Sequence, residues 1–268
     1  MASPNMAING SYDYLQVALS VLIAISASYT ALELAGRVAA KRHGRRFAWL
    51  FGGAVAMGTG IWSMHFVGML AFQLPILISY DWPTVLLSAI VAIMASALAL
   101  HEVSREHLQM THAVISSALM GGGIAGMHYL GMAAMRLSAA MRFHLSLVVL
   151  SIVLAVAFSL GALLLAFDLR EEGKRTVSKK VASALVMGIA VSAMHYTGMA
   201  SATFTPININ PNPRHAVSVS ALGTIGIASV TLMLLGLTVF ISSVDGTWKT
   251  RQKNSRVEWP HVLASLRF

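Results

Sequence analysis

The sequence predicts an all-α membrane protein: a seven-transmembrane helix bundle built from three repeated helical hairpins plus one extra N-terminal helix. Three observations carry this expectation. Hydrophobic residues make up 56% of the 268 positions and charged residues only 11%, with a mean hydropathy of +0.70. So few charges cannot cover a water-facing surface, so most side chains must face lipid or each other. Apolar runs of about 20 residues, the length that crosses a bilayer, recur near 12–34, 47–72, 82–100, 111–135, 144–167, 181–203 and 219–243. A short pattern of methionine, glycine and histidine appears three times, in the second, fourth and sixth of those runs.

Residues 1–11 are polar and lack the basic stretch of a cleaved signal peptide, so the first run reads as a retained span. Pro75 and Pro83, then Pro206, Pro211 and Pro213, punctuate the connections. Residues 12–244 form one membrane domain. Residues 245–268, with Trp248, Lys249, Arg251 and Trp259, read as a short basic cytoplasmic tail suited to lipid headgroups and too short for an output domain of about 100 residues.

The net charge of +9 sits in short clusters between apolar runs, where it fixes topology, so a nucleic-acid partner is not expected. One side collects 16 of the 19 lysines and arginines: five from Arg37 to Arg46, then Arg105, five from Arg170 to Lys180, and five from Lys249 to Arg267. Only Arg136, Arg142 and Arg214 fall on the other side. The expected orientation is N-terminus outside and C-terminus in the cytoplasm. The absence of cysteine excludes disulfides, thiolate metal centres and thiol nucleophiles.

The repeated pattern reads MGTGIWSMHFVGMLAF at 57–72, MGGGIAGMHYLGMAAM at 120–135 and MGIAVSAMHYTGMASA at 187–202. Relative to His65, His128 and His195, methionine stands at −8 (Met57, Met120, Met187), −1 (Met64, Met127, Met194) and +4 (Met69, Met132, Met199). Glycine stands at −7 and +3, and an aromatic (Phe66, Tyr129, Tyr196) follows each histidine. The histidines are 63 and 67 residues apart, about two spans, so the repeat unit is a helical hairpin. At ~100° per residue all of these Met, His and Gly positions fall within an arc of about 140°, one helix face, which must point into the bundle. The three box helices run in the same direction, so the three imidazoles lie at one depth and can converge.

Imidazole and thioether, without carboxylate or thiolate, form a soft-to-borderline donor set that suits copper, Cu(I) above all, better than zinc, calcium or magnesium. The expected metal ligands are His65, His128 and His195 with Met69, Met132 and Met199, and also Met64, Met127 and Met194. The −8 methionines lie ~12 Å deeper along the helix, too far to share that metal. No Ser/His/Asp arrangement, paired carboxylates or phosphate-cradling glycine loop appears, so no catalytic residue is expected.

The literal MHYT at 194–197, with MHYL at 127–130 and MHFV at 64–67, resembles the MHYT domain family across about Tyr12 to Val244. That resemblance implies a module of the bacterial inner membrane, with copper held at these Met/His positions and a diatomic gas (oxygen, carbon monoxide or nitric oxide) as its signal. Family members often continue into cytoplasmic signalling domains, so a separate cytoplasmic partner is expected here. Copper itself is the other candidate signal. A copper transporter or relay, and a membrane copper enzyme acting on a small substrate, are the alternative readings.

Overall fold

The computed structural model describes residues 7–40, 46–170, 177–207 and 214–218, followed by 220–221, 223–225 and 228. Six helices, all long and apolar enough to cross a membrane, follow in order: α1 (Tyr14–Ala40), α2 (Arg46–Ala71), α3 (Trp82–Val103), α4 (Met110–Ala133), α5 (Leu145–Asp168) and α6 (Val177–Ala200). These are the first six expected spans. Within the seventh, 219–243, helix is described at 220–221, 223–225 and 228; its remainder and the tail from 245 lie outside the described residues. The chain is a multi-pass, all-α membrane protein.

The helices form a ring, each packing on its neighbours in sequence, and α6 closes it on α1. The −7 glycines make three of these contacts close. A Cβ on Gly58 would stand 2.6 Å from Ile93 Cα in α3, one on Gly121 2.6 Å from Val156 Cα in α5, and one on Gly188 2.6 Å from Ile25 N in α1. Without side chains at these positions the backbones touch, the usual way to gain dispersion energy between helices in lipid. Read along the sequence, each box helix pairs with the helix after it and α1 is left over. In space α1 completes the third such pair with α6.

Short strands that sequence reasoning did not anticipate close one end of the ring. They are β1 (Ser11–Tyr12), β2 (Phe72–Gln73), β3 (Ser79–Asp81), β4 (Met135–Arg136), β5 (Ala139–Phe143), β6 (Ala202–Pro206) and β7 (Ala216–Ser218). Each strand entering an odd helix pairs antiparallel with the strand leaving the next even one: Tyr12 opposite Phe72, Tyr80 opposite Met135, Phe143 opposite Ala202. Beside them, three equivalent bonds recur: Asp13 N–H to Ala71 C=O (2.9 Å), Asp81 N–H to Ala134 C=O (2.9 Å) and His144 N–H to Ser201 C=O (2.8 Å). Carbonyls at helix ends lack partners within the helix and are costly to leave bare near a membrane. The same device meets that need three times around one pseudo-threefold axis. β7 adds to β3 and breaks the symmetry.

The other end carries the basic connections. There the Arg170 guanidinium donates to the carbonyls of Val103 (2.8 Å), Arg105 and Glu106 (2.8 Å), tying the end of α5 to the end of α3. Lys180 of α6 meets Glu33 of α1 at 2.6 Å, tying these neighbouring helices together.

Asp81 caps α3, accepting from Thr84 N–H (3.2 Å) and Thr84 Oγ1–H (2.7 Å), and also pairs with Arg136 at 3.1 Å. The Thr84 hydroxyl, then the Arg136 guanidinium, hold its pKa below the ordinary carboxylate value. Because the folded pKa is the lower one, the contribution is complete above the ordinary carboxylate range and lost as pH falls through the lowered pKa. Thermal unfolding of the purified protein against pH is expected to show this acid loss, and Asp81→Asn should flatten it.

Candidate metal centre

The +3 glycines fix where the histidines lie. A Cβ on Gly68 would collide with His195 Nε2, one on Gly131 with His65 Nε2, and one on Gly198 with His128 Nε2. Each imidazole therefore rests its Nε2 edge on the bare backbone of the next box helix, in a cycle running α2 onto α4, α4 onto α6, and α6 onto α2. Their rings stand edge to face, with centroids 5.0 to 5.1 Å apart and planes at 81 to 87°. This propeller turns all three Nδ1 atoms to the axis, 3.1, 3.2 and 3.2 Å from one another.

All three side chains are buried, and among the described residues no carboxylate joins the group. A neutral imidazole carries one N–H and one lone pair. Two inward nitrogens can share a proton, but the third then faces like groups, so the arrangement lacks an acceptor of electron pairs. The circle through the three nitrogens has a radius of about 1.8 Å, close to metal–imidazole bond lengths of about 2.0 Å. The donor set thus fits a single soft-to-borderline cation.

The aromatics after the histidines brace the cluster, each ring edge-on to its histidine at 4.8 Å. Tyr196 shares a hydrogen bond with Ser20 of α1 and Tyr129 with Ser151 of α5, both at 2.7 Å. In the first repeat Phe66 has no hydroxyl, and the equivalent Ser88 of α3 keeps only the bond to its own helix, at Val85 C=O, that Ser20 and Ser151 also make at Val17 and Val148 C=O. These serines belong to a second repeat that sequence reasoning missed. Ser20, Ser88 and Ser151 are followed at +4 by Ala24, Ala92 and Ala155, at +8 by Ser28, Ser96 and Ser159, and at +11 by Ala31, Ala99 and Ala162. Their spacing of 68 and 63 residues is close to the 63 and 67 of the boxes and was the available signal.

The methionines take two places. The −1 set (Met64, Met127, Met194) and the +4 set (Met69, Met132, Met199) are buried, and five of the six join the main core around Phe66, Tyr80 and Phe204. The −8 set (Met57, Met120, Met187) lines a cavity nearer the basic end, which Met194 also borders. His144 and His215 lie exposed at the strand end, outside the boxes.

A ring of membrane-crossing helices around a buried three-histidine cluster defines a multi-pass membrane protein with a candidate metal centre on its axis. The family profile described as MHYT, bacterial signalling protein N-terminal repeat, matches residues 1–48, 58–116, 121–178 and 188–251, and the chain belongs to this family. Three of these segments begin at or just after the −8 methionines. The bifunctional diguanylate cyclase/cyclic di-GMP phosphodiesterase MucR of Pseudomonas aeruginosa is 42% identical over 90% of this chain and 35% of its own length. Signaling protein YkoW of Bacillus subtilis is 37% identical over 74% of the chain and 25% of its length. The cyclic di-GMP phosphodiesterase NbdA of Pseudomonas aeruginosa is 40% identical over 72% and 25%. The chain thus spans about a third or less of these relatives. No solved structure matches it.

Proposed function

We propose that this chain is the sensory part of a membrane signalling system and holds copper through His65, His128 and His195. The observation that carries the reading is the meeting of three Nδ1 atoms within 3.2 Å in a buried centre. Copper bound there would supply a redox-active soft cation able to bind a diatomic gas. The protein's own part is to orient the imidazoles, exclude water and keep sulfur nearby. Relatives whose names carry cyclic di-GMP turnover point to a cytoplasmic nucleotide-signalling partner, reached from the basic end of the bundle. With the N-terminus outside, the cluster lies toward the outer surface, and the box helices carry any change at the histidines to the cytoplasm.

Copper content and Cu(I) affinity of the triple Met→Leu variant of each set test the ligand assignment, since leucine keeps most of the volume. Loss of affinity in the +4 set (Met69, Met132, Met199), and little change in the −8 set, is expected. Loss only in the −8 set would move the metal deeper and favour a relay instead. Orientation is tested by reporter fusions after Lys180 and after Asn210, which should report opposite sides, the first cytoplasmic.

A further inference from the structure

A cavity of about 50 Å³ lies on the pseudo-threefold axis beneath the histidines. Its place follows from what lines it. Ile61, Ile124 and Val191 stand four residues before the three histidines, ~6 Å deeper, and Met57, Met120 and Met187 stand ~12 Å deeper. All six face the same space, and Met194, the neighbour of His195, joins them. The same three methionines also line a smaller cavity nearer the basic end, so flexible thioethers form the partition between the two.

The chemistry of the lining limits the occupant. Among the described residues two serines, Ser28 and Ser159, supply its only polar side chains, and none of them carries a charge. Water needs two to four polar partners to stay, and apolar cavities remain dry while accepting small apolar molecules. An ion would be stripped of its solvent with no counter-charge in the wall. Its small volume suits a compact molecule better than a bulky one. The symmetry is broken here too: α1 and α5 line the cavity and α3 does not, and Phe158 of α5 stands where α1 has Ala27 and α3 has Ala95.

We infer that this cavity is a holding chamber for a small, uncharged, apolar molecule, one helical turn from the histidine cluster and sharing only Met194 with the expected metal ligands. Its supply of such a molecule to the cluster rests on the sensory reading above. Its ability to hold one does not.

The test is crystallographic, on the full chain under xenon pressure, with xenon as the probe and its anomalous signal as the readout. Xenon is expected in the wild-type chamber. It should be lost in Ala27→Phe, which fills the space, and increased several-fold in occupancy in Phe158→Ala, which enlarges it; the enlarging variant keeps the test decisive should the filled one not fold. The His65→Ala/His128→Ala/His195→Ala variant should keep xenon in the chamber, so failure of the metal reading would leave this result standing. An empty chamber in wild type and Phe158→Ala, ordered water, or a resident acyl chain would overturn the proposal.

Discussion

Replacing any one of His65, His128 or His195 by alanine is expected to remove bound copper almost completely. The three Nδ1 atoms meet within 3.2 Å, so each provides one third of the inner nitrogen shell and none has a substitute in place. Loss of a partner that merely orients a ligand weakens metal binding by about 10–100-fold, and loss of the ligand itself should exceed about 100-fold. The measurement is copper per chain after purification, together with Cu(I) competition titration. The three variants should behave alike because the symmetry makes their positions equivalent. Full copper retention in all three would mean that the cluster is a packing feature.

The second large effect is expected at positions that bear no ligand. Gly68→Ala, Gly131→Ala and Gly198→Ala each place a methyl group on an imidazole of a different helix, respectively His195, His65 and His128. A contact that short cannot be relieved by a small adjustment, because the ring is also held by its neighbours on the axis. Overpacking of this kind costs about 1–3 kcal/mol, and the displaced ring should carry its Nδ1 away from the axis. Copper affinity should therefore fall although every histidine remains. Gly122→Ala is the control, since a Cβ there has nothing within 4 Å. If the three substitutions leave both stability and copper unchanged, the cyclic seating of the imidazoles is wrong.

The box helices were legible because their chemistry is rare. Histidine and methionine repeating at fixed spacing inside apolar runs stands out against any background, and helix geometry alone turned the spacing into an inward face. The odd helices were harder. Ser20, Ser88 and Ser151, with their alanines, repeat as faithfully, but small residues are common in membrane spans and give weak periodic contrast. The strands were illegible for a different reason. Runs of two to five residues such as Ser11–Tyr12 and Ala139–Phe143 are too short for alternation to show, and they are specified by partners about 60 residues away. The role of the +3 glycines as seats for imidazoles from another helix is likewise a tertiary fact, which the repeat advertised without explaining.

The most direct test of the copper assignment is X-ray absorption on the copper-loaded wild-type protein. The expected result is one copper per chain, with three imidazole nitrogens at about 2.0 Å and a sulfur contribution that disappears in the Met69→Leu/Met132→Leu/Met199→Leu variant. A spectrum with no imidazole scattering, or a copper that persists with sulfur neighbours alone, would contradict it.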